Sequence, residues 1–467
     1  VQVALTVAAA LVLGVVGVGS AETVVLLVLA LAVVYAVTRS YRWALFGMLL
    51  ATFTGLNLAS AAVGPLSLRP ADFFYVALVL WAVARPSRRR PADIGQVPIA
   101  LLLLVLGVSL IPVAAESFGL FTSPFVSWLR LVQTLSLVWV LPKVLDDESD
   151  RQFAANAVMV AAALEVGRAL LQAFPGGLSG DRLSGSIGPN AIGLLAAVML
   201  VLALHMPRLS VPSRAVVFGI AVLGLFTAKS VGSLAALGVT LAVVGFGRVG
   251  DEHLGRALRP LRVLLLGIGL VAIVGVLRQE ALPGSAEFRS GSAQQRLILA
   301  TAGLEEFQAH PFIGVGWQRS ADPSIIGDPQ LNADLHEQFG DIRADFFPDT
   351  KGGVSSVHNA YVQVLAEAGL VGALALFGVV IACWRRIRAL RRKLVGTEAL
   401  VARAVCSALI VNVLWFNDNA IFGAQPETVL LGTTLGILAS FRPDTTNSED
   451  SSQAQGTSTR AVASRKP

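Results

Sequence analysis

Apolar stretches of about twenty residues recur from one end of the chain to the other, separated by short polar segments. They cover roughly 2–19, 23–38, 43–63, 71–84, 97–115, 126–142, 153–174, 189–206, 214–229, 231–247, 261–277, 358–383, 398–416 and 425–441. About twenty helical residues cross roughly 30 Å of hydrocarbon, so the pattern predicts an all-α polytopic membrane protein with about 12–14 transmembrane helices. The pair between Arg214 and Gly247 is short, which leaves the lower counts open. No internal repeat stands out. The first run, VQVALTVAAALVLGVVGVG, lacks a basic leader and a clear A-x-A site, so it reads as a retained span.

Composition agrees. Of 467 residues 55% are hydrophobic and 14% charged, where a soluble chain carries about 25% charged residues. The net charge of +6 does not point to nucleic acid, because the basic residues sit in loops between spans. Arg39 and Arg42, RPSRRR at 85–90, Lys143 and Arg151, Arg208 and Arg214, the group Arg248, Arg256, Arg259 and Arg262, and WRRIRALRRK at 384–393 all follow even-numbered spans. Basic loops stay on the cytoplasmic side, so both termini are expected there. The two cysteines, Cys383 and Cys406, lie in apolar runs and indicate no disulfide framework. The expected domain organisation is a helix bundle over 1–277, an external cap over 278–357, further spans over 358–441 and a disordered cytoplasmic tail over 442–467.

On the opposite face basic residues are scarce, so Arg69, Arg182 and Lys229 stand out. The segment 278–357 holds six basic and eleven acidic residues, and is too long for a simple connector. Within it, SAQQRLILATAGLEEFQAHP reads as a helix that carries Arg296 and is closed by His310-Pro311. The span that follows opens on His358-Asn359 and carries Glu367, although an ionisable side chain at the bilayer centre costs about 2.5–3.5 kcal/mol. Nine residues separate His358 from Glu367, about 13.5 Å along a straight helix and on nearly the opposite face. Glu367 is therefore expected to bond a neighbouring span. Tyr361 and Val362 share the His358 face, and Asn359 suits a helix cap. Arg296 could instead pair with Glu305 or Glu306 on the cap surface. Glu165, Arg168 and Gln172 form one polar stripe, read as an internal ion pair first and a lipid-phosphate ligand second. Arg130 and Gln133 form a smaller pair, and WFNDNA at 415–420 reads as a loop.

Three segments together resemble the O-antigen ligase and polymerase family of membrane glycosyltransferases: GDRLSGSIGPNAIG around Arg182, the Arg296 helix ending in HPFIGVG, and VHNAYVQVLAEAGLVG from His358. The resemblance covers roughly 151–441. This chain has Lys229-Ser230 where the family often has Ser-Arg. The resemblance implies a GT-C-like fold in a bacterial cytoplasmic membrane, with the active site facing outside. It also implies an inverting transfer of a glycan from a polyprenyl (undecaprenyl) diphosphate to a glycan, lipid or protein acceptor. Arg182, Arg296 and Lys229 would bind the diphosphate, and His358 would be the catalytic base. Asn359, Tyr361 and Arg69 would line the site, with Glu367 and Arg168 in support. No cofactor is implied, and transfer is expected to be metal-independent. Ligation and repeat-unit polymerisation stay open. A transporter of lipid-linked glycans is the rival class, and it would be expected to show repeats and midplane coupling residues.

Overall fold

The computed structural model describes residues 39–442, apart from 56–60, 64–65, 86–95, 117, 175–182, 184, 245–290, 341–346, 349–356, 418 and 422–424. The expected spans 2–19, 23–38 and 261–277, Arg182, the first part of the cap and the tail from 443 lie outside the described residues.

The described chain is helical apart from one short hairpin. Helices α1 (Tyr41–Phe53) and α2 (Pro70–Ala84) flank strands β1 (Ala61–Val63) and β2 (Leu66–Leu68), which pair antiparallel with Ala61 opposite Leu68. Then come α3 (Gln96–Val108) and α4 (Leu110–Glu116), one apolar run stepped at Ser109. Helices α5 (Phe118–Leu135) and α6 (Leu137–Val144) are likewise stepped, at Ser136. They are followed by α7 (Glu148–Ala173), α8 (Pro189–His205), α9 (Val211–Ala228) and α10 (Val231–Val244). The cap supplies α11 (Gly291–Ala309), α12 (Pro323–Ile326) and α13 (Pro329–Phe339). Helices α14 (Ala360–Lys393), α15 (Gly396–Trp415) and α16 (Pro426–Ser440) complete the bundle.

Among the described residues six segments are long and apolar enough to cross a membrane: Gln96–Glu116, Thr122–Val144, Glu148–Ala173, Val211–Ala228, Ala360–Lys393 and Gly396–Trp415. Helices α2, α8 and α10 are shorter and apolar. The predicted span 43–63 is cut short, because α1 stops at Phe53 and the apolar residues beyond it build the hairpin. Apolar content alone does not separate a short strand pair from a helix.

Helix α8 is the centre. Every residue from Ala191 to Leu204 is buried, and α7, α9, α10 and α15 pack around it. A helix apolar on all sides needs that enclosure. At one end of the bundle Tyr41 and Arg42 both bond Asp150, and Arg151 pairs with Glu398 at 2.6 Å and reaches the Ser440 carbonyl at 3.3 Å. Arg386 bonds the Phe441 carbonyl at the same end. Three basic residues from three helices, Arg42, Arg151 and Arg386, therefore gather at one end of the bundle.

At the other end α14 is broken. Gly369 has φ 61° and ψ −160° inside the helix. In a continuous helix Leu370 and Val371 would donate to the carbonyls of Ala366 and Glu367. Instead they donate to Pro311 and Phe312, at 2.8 and 3.4 Å, and the freed carbonyls accept from Val315 and Gly316 at 2.9 and 3.0 Å. The HPFIGVG segment is thus threaded into the helix. The same segment is fixed on its other side, where the Trp317 N–H donates to Ser109 Oγ at 3.1 Å and Arg319 pairs with Glu116 at 2.6 Å. Beyond it, Ile298, Ala302, Leu335 and Phe347 form a small core inside the cap.

A Cβ on Gly369 would lie 2.4 Å from the Phe312 carbonyl, and its backbone conformation is open to glycine almost alone. Gly369→Ala should therefore lower the unfolding midpoint of the detergent-solubilised protein by several degrees, reflecting about 1–3 kcal/mol of backbone strain plus the clash. Gly219→Ala, where nothing lies within 4 Å of the added carbon, should leave it unchanged or raise it. Equal midpoints for the two variants would contradict the threaded break.

Candidate functional site at the cap end

His358 stands two residues before the start of α14, just ahead of its cap Asn359, at the junction of three segments. Asn359 caps the helix, its Oδ1 accepting from the N–H groups of Tyr361 and Val362 at 3.0 and 3.1 Å. Its Nδ2 donates to Asn417 Oδ1 at 3.2 Å, and the Ala360 N–H donates to the Phe416 carbonyl at 2.9 Å. Tyr361 donates its hydroxyl to Val413 at 2.7 Å, so it faces α15. Val362 instead packs where Gly303 of the cap helix comes close. The two side chains expected to share a face therefore point at different neighbours.

Helix α11 runs alongside this start. Arg296, Leu299, Gly303 and Glu306 recur at i, i+3, i+7 and i+10 and make one stripe. At Gly303 an added Cβ would meet Val357 and Val362 at 3.0 and 2.9 Å, so the stripe faces α14. Burial, and then the charge of Arg296, lowers the proton affinity of His358 below its ordinary 6.5. The imidazole is therefore neutral at pH 7 and able to accept a proton.

Further along the same contact lie two buried carboxyl groups. Glu367 accepts from Ser320 Oγ at 2.5 Å and from Gln363 Nε2 at 3.2 Å. Its partners are the returning cap segment and its own helix, not the neighbouring span that the sequence suggested. Gln363 in turn accepts from the Ile421 N–H at 2.7 Å and donates to the Ile421 carbonyl at 3.2 Å. Glu306 is 5% exposed, and among the described residues neither carboxyl oxygen has a hydrogen-bond partner. Burial first, and Glu367 second, push its pKa up to about 9. The sequence left open a surface pair of Arg296 with Glu305 or Glu306. Glu306 is instead a neutral acid packed towards α14.

The arginine turn is described only from Leu183. The Leu183 N–H donates to the Thr227 carbonyl at 3.0 Å, against the end of α9. Lys229 follows two residues later as the left-handed cap of that helix, with φ 49°. Glu165 fastens the turn from below, accepting from Ser186 N–H and Oγ at 3.2 and 2.9 Å, while Arg168 donates to both its carboxyl oxygens at 2.8 and 2.7 Å. The loop 415–421 then bridges the halves of the site. Asn419 accepts from Asn190 at 3.2 Å, and Asn417 and Phe416 hold Asn359 and Ala360. The sequence treated WFNDNA as a plain connection. Its only signal was the run of amides, and their partners are far away in the chain.

Arg69 belongs to a different cluster, between the start of α2 and the last turns of α5. Its N–H donates to Asp72 Oδ2 at 2.8 Å, and Arg130 and Gln133 donate to Asp72 Oδ1 at 3.2 and 3.0 Å. Beside Tyr361 and Trp317 an apolar cavity of about 290 Å³ runs along α14 between helices α3, α5, α10, α15 and α16. Among the described residues no three His, Cys, Asp or Glu side chains come together as a metal site.

The state of Glu306 has a measurable consequence. A carboxyl that holds its proton to about pH 9 when folded, but to about 4.5 when unfolded, favours folding at low pH and loses that advantage as pH rises towards 9. Unfolding midpoints of the parent should fall between pH 5 and 9 relative to Glu306→Gln, which cannot ionise. Curves that run parallel across that range would place the carboxyl in water.

No curated protein matches the chain. Residues 183–377 match the family model described as O-antigen ligase. That stretch holds Lys229, Arg296, Glu306, His358 and Glu367, so the part of the chain that carries the cap and the start of α14 is similar to the O-antigen ligase family.

Proposed function

We propose that the chain transfers a glycan from a polyprenyl diphosphate to an acceptor hydroxyl at the cap end of the bundle, outside a bacterial cytoplasmic membrane. The observation that carries this reading is the position of His358, at a helix start capped by Asn359 and packed against the stripe of α11 that carries Arg296, where burial and then Arg296 lower its proton affinity. In the step proposed, the acceptor oxygen attacks the anomeric carbon as its proton passes to His358. The bond from that carbon to the diphosphate breaks on the opposite face, which inverts the centre. The departing diphosphate keeps the electron pair.

Arg296, Arg182 and Lys229 are assigned to the diphosphate. Guanidinium groups bind such oxygens two at a time and stabilise charge that grows as the bond breaks. Asn359 and Tyr361 position the helix start, while Glu367 and Arg168 brace the cap segment and the arginine turn. Arg69 lies in its own cluster and is the weakest member of the set. The apolar cavity beside Tyr361 supports a lipid-borne donor, since its lining suits isoprene units and offers nothing to a free sugar nucleotide. Ligation and repeat-unit polymerisation would share this step and differ in the acceptor.

Two experiments test the reading. In purified protein with a polyprenyl-diphosphate glycan and its acceptor, His358→Ala should lose about 10²–10⁴-fold in turnover while donor binding persists. Arg296→Gln should weaken donor binding and shift the acid limb of the rate profile to higher pH, because the charge that disfavours the imidazolium is gone. Turnover of His358→Ala within about threefold of the parent, well short of the general-base range, would remove it as the base. For the orientation, an impermeant thiol reagent added from outside should label a cysteine at Gln330 and spare one at Arg388. The opposite pattern would place the site in the cytoplasm.

A further inference from the structure

The turn that threads the cap into α14 carries two large apolar side chains that are mostly exposed. Phe312 is 70% exposed and Ile313 57%, an unusual finish for a segment flanked by polar cap sequence. Their neighbours across the break are also exposed and apolar: Leu370 at 45%, Val371 at 46% and Leu374 at 61%. The surface is therefore continuous with the outward face of a helix long and apolar enough to span the membrane.

Depth can be counted along α14. Its basic end begins at Arg385 and Arg386, which belong at the opposite interface. Roughly 20 residues of helix cross about 30 Å of hydrocarbon, so counting back from Arg385 brings the far margin to about residue 365. Pro311 and Phe312 bond Leu370 and Val371, and Val315 and Gly316 bond Ala366 and Glu367, all on the hydrocarbon side of that margin. Irregular backbone tolerates such a depth only when its polar groups are satisfied within the protein. Here the Pro311 and Phe312 carbonyls and the Gly314, Val315 and Gly316 N–H groups are bonded and Pro311 has no N–H, while the Phe312 and Ile313 N–H groups donate to no backbone carbonyl among the described residues, which holds the turn at the margin and not deeper.

We propose that the turn Pro311–Gly314 is seated in the acyl-chain margin of the leaflet on the cap side, with Phe312 and Ile313 inserted among the lipid tails. The cap is then held to the bilayer at a point directly below α11. The placement of this turn is independent of glycosyl transfer. Its consequence for the site rests on the function proposed above: His358 and Arg296 would sit at the level of lipid headgroups, where a membrane-borne diphosphate lies.

The test is a depth measurement that does not read activity. With Cys383 and Cys406 replaced by alanine, a spin label is attached to a cysteine at Phe312 and, separately, at Gln330, in the protein reconstituted in lipid nanodiscs. Each labelled protein is first required to keep the parent's unfolding midpoint. The label at 312 should collide with oxygen more than with a water-soluble nickel chelate, and the label at 330 should show the reverse. A label at 312 that favours the nickel chelate would place the turn in water. One that meets neither probe would mean protein covers it, either a second copy or another segment of this chain. Both results overturn the proposal while leaving the transfer assay untouched.

Discussion

Two carbonyls, those of Ala366 and Glu367, are turned away from their own helix and given to another segment of the chain. Everything at the cap end depends on this exchange. A helix interrupted in an apolar setting leaves donors and acceptors that water cannot reach, and each orphan there costs several kcal/mol. HPFIGVG satisfies both sides of the interruption at once: its carbonyls take the stranded N–H groups, and its N–H groups take the stranded carbonyls. The exchange needs main chains closer than a Cβ allows, which is why glycines stand opposite each other at 314 and 369.

Once the segment is threaded, the positions of the charged groups follow. Arg296 is carried by the helix that leads into it, and Glu306 comes down beside Glu367. Ser320, on the far side of the thread, supplies a donor to Glu367. A positive group lies above and a neutral acid below. Among the described residues, the imidazole at the helix start therefore has a cation, Arg296, as the charged neighbour that shifts its proton affinity. The loop 415–421 performs the matching task laterally, with amide pairs joining the start of α8 to the start of α14.

Much of this was legible in the sequence. The run of apolar segments gave the helical class, and the order of the Arg296 helix, HPFIGVG and the His358 span pointed to the site. The alternation of basic loops anticipated the cluster of Arg42, Arg151 and Arg386 at one end. What escaped the sequence were contacts made at long range. Periodicity treats 358–383 as one straight rod, and that geometry sent Glu367 towards another span. Glu306 looks like any surface glutamate of an amphipathic helix until α14 covers it. The span read over 43–63 failed for a local reason, since a short apolar hairpin and a helix share the same composition.

The thread also limits how the cap can move. Residues 310–319 are tied to α14 by four backbone bonds, to the α3–α4 step by Trp317 and to the end of α4 by Arg319. A lid that swung about this segment would have to break those bonds together and strand their polar groups in the process. The segment is an anchor and not a hinge. On the function proposed above, an opening that admits a bulky acceptor would come from the part of the cap beyond Arg319, around α12 and α13. There the packing is a small core of Ile298, Ala302, Leu335 and Phe347. Substrate would then enter from that flank, past a frame on the His358 side that these bonds hold fixed.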